Sequence, residues 1–264
     1  MAVGTHDPFF VEAGGRRLRA QWIGANSEDA GPVLVFLHEG LGSIGQWRGV
    51  PDALCRQTNL PGLLYERWGF GESEPLVLPR PDDYLSIEAE QSLPEVLRAC
   101  GIERPILLGH SDGGTIALLH AAAYPESTKA CVCLAAHVYV EDLTVAGIRD
   151  VVARWDHGDL RPRLESYHGR NTEAMFRGWA DTWLRPSFRE WNVEDRLSDI
   201  VCPVMLIQGE HDEHTTLEHL EAIARGVPGP TETYVVPKCG HSPHLEARSE
   251  VVARMAAFVD SVVD

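Results

Sequence analysis

Short apolar runs alternate with amphipathic stretches along most of the chain, and this pattern predicts the fold. Runs of strand length occupy 32–38, 61–66, 104–109, 129–136, 203–209 and 232–238, while helix-like stretches occupy 45–57, 84–100, 112–123, 215–225 and 246–262. Continuously apolar strands between amphipathic helices are typical of an α/β fold with a mainly parallel sheet covered on both faces. Before them, residues 9–13 and 16–23 flank Gly14-Gly15, which predicts an antiparallel hairpin.

One segment, residues 140–198, interrupts the alternation. It lacks a strong strand signal, and its apolar positions recur at helical spacing. An all-helical insertion directly after a sheet strand is typical of a cap over a functional site, although extra surface helices are the alternative. We therefore predict a core formed by 1–139 and 199–264, with 140–198 as a helical insertion rather than an independent domain.

Composition narrows the class of protein. At 264 residues and 44% hydrophobic, the chain can form one substantial core. Its net charge of −16 argues against nucleic acid or an anionic membrane as partner. The start lacks a signal-peptide pattern, and apolar runs stay well below the roughly 20 residues that span a bilayer. We expect a cytoplasmic protein with a small-molecule substrate; a homodimer stays an open alternative.

The strongest chemical signal is the segment 106–115, I-L-L-G-H-S-D-G-G-T. It reads as a strand, then G-x-S-x-G, then a helix, and it predicts a nucleophilic serine, Ser111, on a sharp turn. Such a turn leaves room only for small residues at its two glycine positions. The N–H of Asp112 then lies at a helix N-terminus, where developing negative charge is favoured.

A serine hydroxyl needs a base and a group that orients the base, and two later loops supply candidates. K-C-G-H-S-P-H-L-E places His241 after the last strand, and L-I-Q-G-E-H-D-E-H places Asp212 after the strand before it. His244 is the alternative to His241, and Glu210 and Glu213 are alternatives to Asp212. The H-D-E-H run lacks the helical H-E-x-x-H arrangement, so we predict no metal.

These motifs, taken together, resemble those of α/β-hydrolase fold proteins over nearly the whole chain. Besides the elbow, the chain has L-H-E-G-L-G after the third strand, Y-E-R-W-G-F-G-E-S at 65–73 with Glu66 at the family's aspartate position, and a G-H-x-x-x-x-E ending. The resemblance implies an eight-stranded, mainly parallel sheet with a helical cap after the sixth strand. It also implies a serine hydrolase without a cofactor.

The resemblance further implies a role for each site residue. Ser111 would be the nucleophile, His241 the general base and acid, and Asp212 the group that orients it. The oxyanion hole would be the N–H groups of Asp112 and Gly40. Further candidates for the pocket are His38, Glu39, His110, His137, Trp47, Phe176, Trp179 and Trp183.

The first loop departs from the family pattern because Glu39 stands where glycine is usual. If the donor is the residue directly after His38, it is the N–H of Glu39 rather than that of Gly40. A free carboxylate facing an oxyanion would oppose catalysis, so we expect Glu39 to turn aside and pair with a cation or a buried donor, for which Arg67 is the nearest candidate. A solvated loop carboxylate is the alternative.

Three functions are compatible with these residues. The leading hypothesis is a serine hydrolase that cleaves a small carboxylic ester, thioester or lactone through an acyl-enzyme. The second is an amide hydrolase similar to proline iminopeptidases, in which Glu39 and Asp112 hold a substrate ammonium. The third is a non-catalytic small-molecule receptor with the same fold.

Overall fold

Eight strands form one sheet in the computed structural model, which describes residues 6–24 and 31–263. The strands are Phe9–Ala13 (β1), Arg16–Ile23 (β2), Leu34–Leu37 (β3), Gly62–Tyr65 (β4), Ile106–His110 (β5), Ala130–Leu134 (β6), Val204–Gly209 (β7) and Thr231–Val236 (β8). Their order is β1-β2-β4-β3-β5-β6-β7-β8. The hairpin of β1 and β2 is antiparallel and β2 pairs antiparallel with β4, whereas every later pairing is parallel. The predicted fold class is confirmed.

Helices cover both faces of the sheet. They are Val50–Thr58 (α1), Tyr84–Ile87 (α2), Leu93–Ala99 (α3), Asp112–Ala123 (α4), Asp142–His157 (α5), Leu160–His168 (α6), Thr172–Trp183 (α7), Leu217–Gly226 (α8), Pro243–Glu246 (α9) and Arg248–Val263 (α10). Successive residues of β3 serve opposite faces: Leu34 packs in the cluster with α1 and α10, and Val35 packs in the cluster with α3 and α4. Buried on both faces, such a strand is apolar throughout.

The stretch 84–100, predicted as one helix, has a π-helical turn at Glu88–Ser92 between α2 and α3. Pro94 explains the irregularity, because proline lacks the N–H that would bond to the carbonyl of Glu90. The hydroxyl of Tyr124 donates to that carbonyl at 2.8 Å. The sequence pattern predicted the apolar face of this helix but not the local change from α-helical to π-helical hydrogen bonding.

Only helices, 3₁₀ turns and one isolated bridge lie between β6 and β7. α5, α6 and α7 occupy most of this segment, in agreement with its helical spacing. Buried hydrogen bonds tie it to the core: the side-chain amide of Asn171 donates to the carbonyls of Gly71 and Ser73 at 3.0 and 2.8 Å. Its treatment as a cap stays a prediction. Within 6–24 and 31–263, no helix has the length and apolar character needed to cross a bilayer.

Candidate active site

The turn between β5 and α4 holds Ser111 in a strained conformation. Its φ of 52° lies in the left-handed region that side-chain-bearing residues avoid. A Cβ on Gly109 would lie 2.0 Å from the carbonyl oxygen of Gly113, and a Cβ on Gly113 would lie 1.9 Å from that of Leu37. Both glycines are therefore sterically required, as the G-x-S-x-G pattern predicts.

His241 and Asp212 form a hydrogen-bonded pair beside this turn. His241 Nδ1 lies 2.9 Å from each carboxylate oxygen of Asp212. A carboxylate accepts, so Nδ1 carries the proton and Nε2 is left as the basic nitrogen. The peptide N–H groups of His214 and Thr215 donate to Asp212 at 2.9 and 3.1 Å. Of the two sequence alternatives to Asp212, Glu210 accepts the N–H of Lys238, and Glu213 accepts the main-chain N–H of His241 at 3.1 Å rather than a proton of its imidazole.

The two groups shift each other's proton affinity. Burial raises the pKa of Asp212, but the hydrogen bond and charge of His241 and the donors of the loop more than offset this and hold it at about 2. Burial lowers the pKa of His241, and Asp212, followed by Glu39 and Glu213, raises it above its usual value of 6.5. Asp212 is thus ionised at neutral pH and stabilises the protonated form of His241.

A cleft of about 500 Å³, open to solvent, lies above Ser111. Its lining residues are Glu39, Gly40, Leu41, Ser111, Asp112, His137, Thr144, Ile148, Val151, Trp179, Trp183, His214, Thr215 and His241. The core loops supply the polar floor, and α5 and α7 supply an apolar roof. No hydrogen bond joins Ser111 to His241 among the contacts of the described residues; such contacts often tighten only when substrate binds.

The sequence-derived pocket residues divide between this cleft and a smaller cavity behind it. Glu39, His137, Trp179 and Trp183 line the cleft, whereas His38, Trp47 and His110, again with Glu39, line the smaller cavity. His110 supports the site from behind, since its Nε2 donates to the carbonyl of His241 at 2.8 Å.

Phe176 lines neither cavity, contrary to the sequence-based expectation. It faces the inside of the insertion, fully buried and stacked on Trp155 with 3.9 Å between ring centroids. Sequence reasoning missed Leu41, Thr144, Ile148, Val151, His214 and Thr215. Only the last two carry a sequence signal, because they follow Asp212 in the same loop.

Two peptide N–H groups at the floor are candidate oxyanion donors. Neither the N–H of Gly40 nor that of Asp112 has an intramolecular acceptor among the contacts of residues 6–24 and 31–263. Gly40 lies against Trp179, and a Cβ at this position would be 2.3 Å from the indole Nε1. Glycine is therefore required by close packing here.

Glu39 does not form the expected side-chain pair with Arg67. Instead, the guanidinium of Arg67 donates to the main-chain carbonyls of Glu39 and His38 at 2.7 and 3.2 Å. The half-buried Glu39 carboxylate lies at the boundary of the two cavities, without an ion pair or side-chain hydrogen bond among the described contacts. Burial raises its pKa, and the charge of His241 opposes this rise.

The carboxylate of Asp112, in contrast, is well compensated. It accepts the hydroxyl of Tyr84 at 2.7 Å and lies 3.6 Å from the guanidinium of Arg67. The Nε2 of His137 is 3.7 Å away, and the indole N–H of Trp183 donates to Tyr84 at 2.9 Å. Asp112 is 1% exposed, so these partners, rather than water, neutralise it.

No set of three or more His, Cys, Asp or Glu side chains is arranged to hold a metal within the part of the chain that the structure describes.

The sheet order and the turn at Ser111 define an α/β-hydrolase fold. The sequence profile of the Alpha/beta hydrolase family matches residues 34–255, and the chain belongs to this family. It is 26% identical over 237 residues to Serine hydrolase BPHL of Homo sapiens, across 86% of this chain and 73% of that protein. It is 24% identical over 247 residues to a 2-hydroxy-6-oxononadienedioate/2-hydroxy-6-oxononatrienedioate hydrolase of Comamonas testosteroni, across 83% and 84%.

A solved structure agrees with this assignment. Proline iminopeptidase of Mycobacterium smegmatis superposes with a TM-score of 0.72 at 21% identity, covering 97% of this chain and 98% of that one. At this identity the likeness shows the fold alone. The relatives named here are hydrolases, and their names do not share one substrate.

Proposed function

We propose that this protein is a serine hydrolase that cleaves a small carboxylic ester, thioester or lactone through an acyl-enzyme on Ser111. One observation carries the proposal: Ser111, held on a strained turn, lines the same cleft as His241, whose Nδ1 is bound to Asp212. This arrangement supplies a nucleophile, a base with a free Nε2 and a group that fixes the base's tautomer.

In the first half-reaction Ser111 Oγ attacks the substrate carbonyl while His241 Nε2 takes the hydroxyl proton. The tetrahedral oxyanion accepts hydrogen bonds from the N–H groups of Gly40 and Asp112. Each of these bonds stabilises the transition state by about 3 kcal/mol. His241 then protonates the leaving oxygen or sulfur, and the acyl group stays on Ser111. Asp212 stabilises the imidazolium during both transfers without taking the proton.

In the second half-reaction, water attacks the acyl-enzyme. His241 Nε2 removes a proton from this water and returns one to Ser111, so the carboxylic acid leaves and the enzyme is restored. Ile148, Val151 and Trp179 place apolar surface over the cleft, which favours an apolar acyl or leaving group.

A second candidate is an amide hydrolase, or an esterase, for substrates that carry an ammonium group. The observation that favours it is the Glu39 carboxylate, which lines the cleft without an ion-pair partner among the described residues. Asp112 is less suited to this role than the sequence suggested, because Arg67 and Tyr84 already compensate its charge. A substrate cation beside Glu39 would offset the cost of its burial.

Hydrolysis of 4-nitrophenyl butyrate by Ser111→Ala tests the proposal. We expect kcat to fall by about 10⁵-fold or more, with an unchanged circular dichroism spectrum. Ser166→Ala removes an exposed hydroxyl on α6 and serves as the matched control, with wild-type turnover expected. Unchanged turnover in Ser111→Ala would refute the mechanism. Labelling of Ser111 by a fluorophosphonate without turnover of any ester, thioester, lactone or aminoacyl naphthylamide would instead support a receptor.

A further inference from the structure

A buried arginine connects the two loops that carry the oxyanion donors. Arg67 follows β4 and is 0% exposed, with its guanidinium 4.6 Å from the centre of the Phe70 ring. One terminal nitrogen contacts the loop after β3 through the carbonyl of Glu39, and the other lies 3.6 Å from the carboxylate of Asp112. Burial of a cation is costly, so this placement needs compensating contacts of the kind seen here.

We infer that Arg67 is the positioning residue of the oxyanion hole: it aims the N–H of Gly40 and neutralises Asp112. The inference rests on the proposed function, because it concerns the stabilisation of an oxyanion formed by attack of Ser111. Arg67 lines neither cavity. It therefore acts through its neighbours and is not a catalytic residue.

The first part of the inference follows from peptide geometry. The carbonyl of Glu39 and the N–H of Gly40 belong to one planar trans peptide, so they point in opposite directions. That carbonyl accepts three donors: Arg67 at 2.7 Å, His38 Nδ1 at 2.8 Å and the N–H of Gly42 at 3.1 Å. With the carbonyl held toward the interior, the N–H of Gly40 is directed toward the cleft.

The second donor is fixed by the same principle but without Arg67. The carbonyl of Ser111 accepts the N–H groups of Gly114 and Thr115 at 2.9 and 3.1 Å, which directs the N–H of Asp112 away from them. The side chain of Asp112 opposes this role, because its negative charge lies on the same residue as the N–H that donates to the oxyanion. Arg67 supplies the opposite charge, so Asp112 does not oppose the oxyanion.

A second buried arginine offers a matched control. Arg80 is 3% exposed and its guanidinium also lies over the Phe70 ring, at 5.1 Å. It donates to the carbonyl of Trp68 at 3.2 Å. Unlike Arg67, it has no hydrogen bond to the loop of Glu39 and Gly40 among the contacts of the described residues. Arg80→Lys therefore replaces a similar buried guanidinium, as Arg67→Lys does, but leaves the contacts of the loop that carries Gly40 intact.

The experiment compares two inhibitors in Arg67→Lys, Arg80→Lys and wild type. An alkyl trifluoromethyl ketone forms a tetrahedral oxyanion with the serine, while the matched methyl ketone occupies the same cleft largely without forming one. We expect Arg67→Lys to weaken binding of the trifluoromethyl ketone by about 100-fold and binding of the methyl ketone by less than about threefold. For ester hydrolysis, kcat should fall and KM should stay nearly unchanged. Arg80→Lys should leave the ratio of the two inhibition constants at its wild-type value.

A double-mutant cycle tests the charge separately. Asp112→Asn should lower kcat/KM in the wild-type background, because it leaves the buried cation unpaired. In the Arg67→Met background it should raise kcat/KM by about 10-fold, because it removes a buried carboxylate that has lost the cation beside it. If Arg67→Met or its double mutant does not fold, the inhibitor comparison in Arg67→Lys decides whether Arg67 positions the oxyanion hole.

Equal weakening of both ketones in Arg67→Lys, or no weakening of either, would overturn the inference. Asp112→Asn effects of the same sign in both backgrounds would overturn its charge component. A failure of the proposed function looks different: wild-type enzyme would then bind both ketones alike, and Ser111→Ala would retain turnover.

Discussion

His241 Nδ1 lies 2.9 Å from both carboxylate oxygens of Asp212, so this carboxylate fixes the tautomer of the imidazole. Replacement of Asp212 by Asn should lower kcat by about 10⁴-fold with little change in fold. Burial lowers the pKa of His241 and Asp212 raises it, so the acid limb of the kcat/KM profile should also move to lower pH.

Glu210→Gln is the matched control for this change, since Glu210 lies in the same loop and was its sequence alternative. Its carboxylate accepts the N–H of Lys238 rather than a proton of His241. Its pH profile should match the wild type. If kcat fell further in Glu210→Gln than in Asp212→Asn, Glu210 rather than Asp212 would be the residue that orients His241.

The charge of Glu39 should affect both pH dependence and substrate preference. After burial and Asp212, Glu39 is the next influence on the pKa of His241, and it raises that pKa. Glu39→Gln should therefore shift the acid limb of kcat/KM to lower pH, by less than Asp212→Asn does. Profiles recorded at constant ionic strength measure the shift.

A matched substrate pair tests the ammonium candidate. The 4-nitrophenyl esters of phenylalanine and of 3-phenylpropionic acid differ only by the ammonium group. If Glu39 binds that group, Glu39→Gln should reduce the ratio of their kcat/KM values by about 10-fold or more. An unchanged ratio would contradict ammonium binding by Glu39 and would favour an uncharged ester as the substrate.

Gly40 should tolerate no side chain while Trp179 is present. A Cβ at Gly40 would lie 2.3 Å from Trp179 Nε1, so the loop or the indole must move. We expect Gly40→Ala to lower kcat/KM by about 100-fold, as expected when an oxyanion donor is displaced. In a Trp179→Ala background the same change should cost less than about 10-fold, because the clash is removed. Strictly additive effects would show that packing against Trp179 is not the cause.

His168 should make stability depend on pH. Its Nδ1 accepts the N–H of Gly71 at 2.9 Å and its Nε2 donates to the carbonyl of Leu41 at 3.0 Å, so the ring must be neutral. Burial lowers its pKa from 6.5 to about 4. The unfolded state binds the proton first as pH falls, so stability is full above pH 6.5 and is lost toward pH 4.

Urea unfolding at pH 7 and pH 4 measures this contribution. A shift of this size corresponds to about 3 kcal/mol between the two pH values. In His168→Asn, which keeps a donor and an acceptor, the change in unfolding free energy over this interval should be smaller by about that amount. An equal pH dependence in the two proteins would contradict the assignment.

The sequence was sufficient for the sheet and the elbow because both depend on local patterns. Strands such as Ala130–Leu134 are apolar throughout, and Gly109 is required by a contact within the turn itself, with the carbonyl oxygen of Gly113. Pro94 explains the π-helical turn, but the hydroxyl that satisfies the freed carbonyl of Glu90 comes from the distant Tyr124, and no local pattern encodes that partner.

The side-chain partners inside the site were less predictable. Arg67 was the expected partner of the Glu39 carboxylate, but its guanidinium donates to the main-chain carbonyl of Glu39, and the carboxylate lines the cleft. Phe176 and Trp179 lie on the same short helix, yet its rotation directs only Trp179 to the cleft. Such choices depend on tertiary packing.

The central claim, an acyl-enzyme on Ser111, is tested most directly by mass spectrometry of enzyme mixed with 4-nitrophenyl butyrate and quenched in acid within milliseconds. We predict one butyryl group per wild-type chain, located by proteolysis on the peptide that contains Ser111, and far slower formation of this adduct in His241→Ala, where Ser111 lacks its base. A butyryl group on another residue, or turnover without any adduct in either protein, would contradict the account.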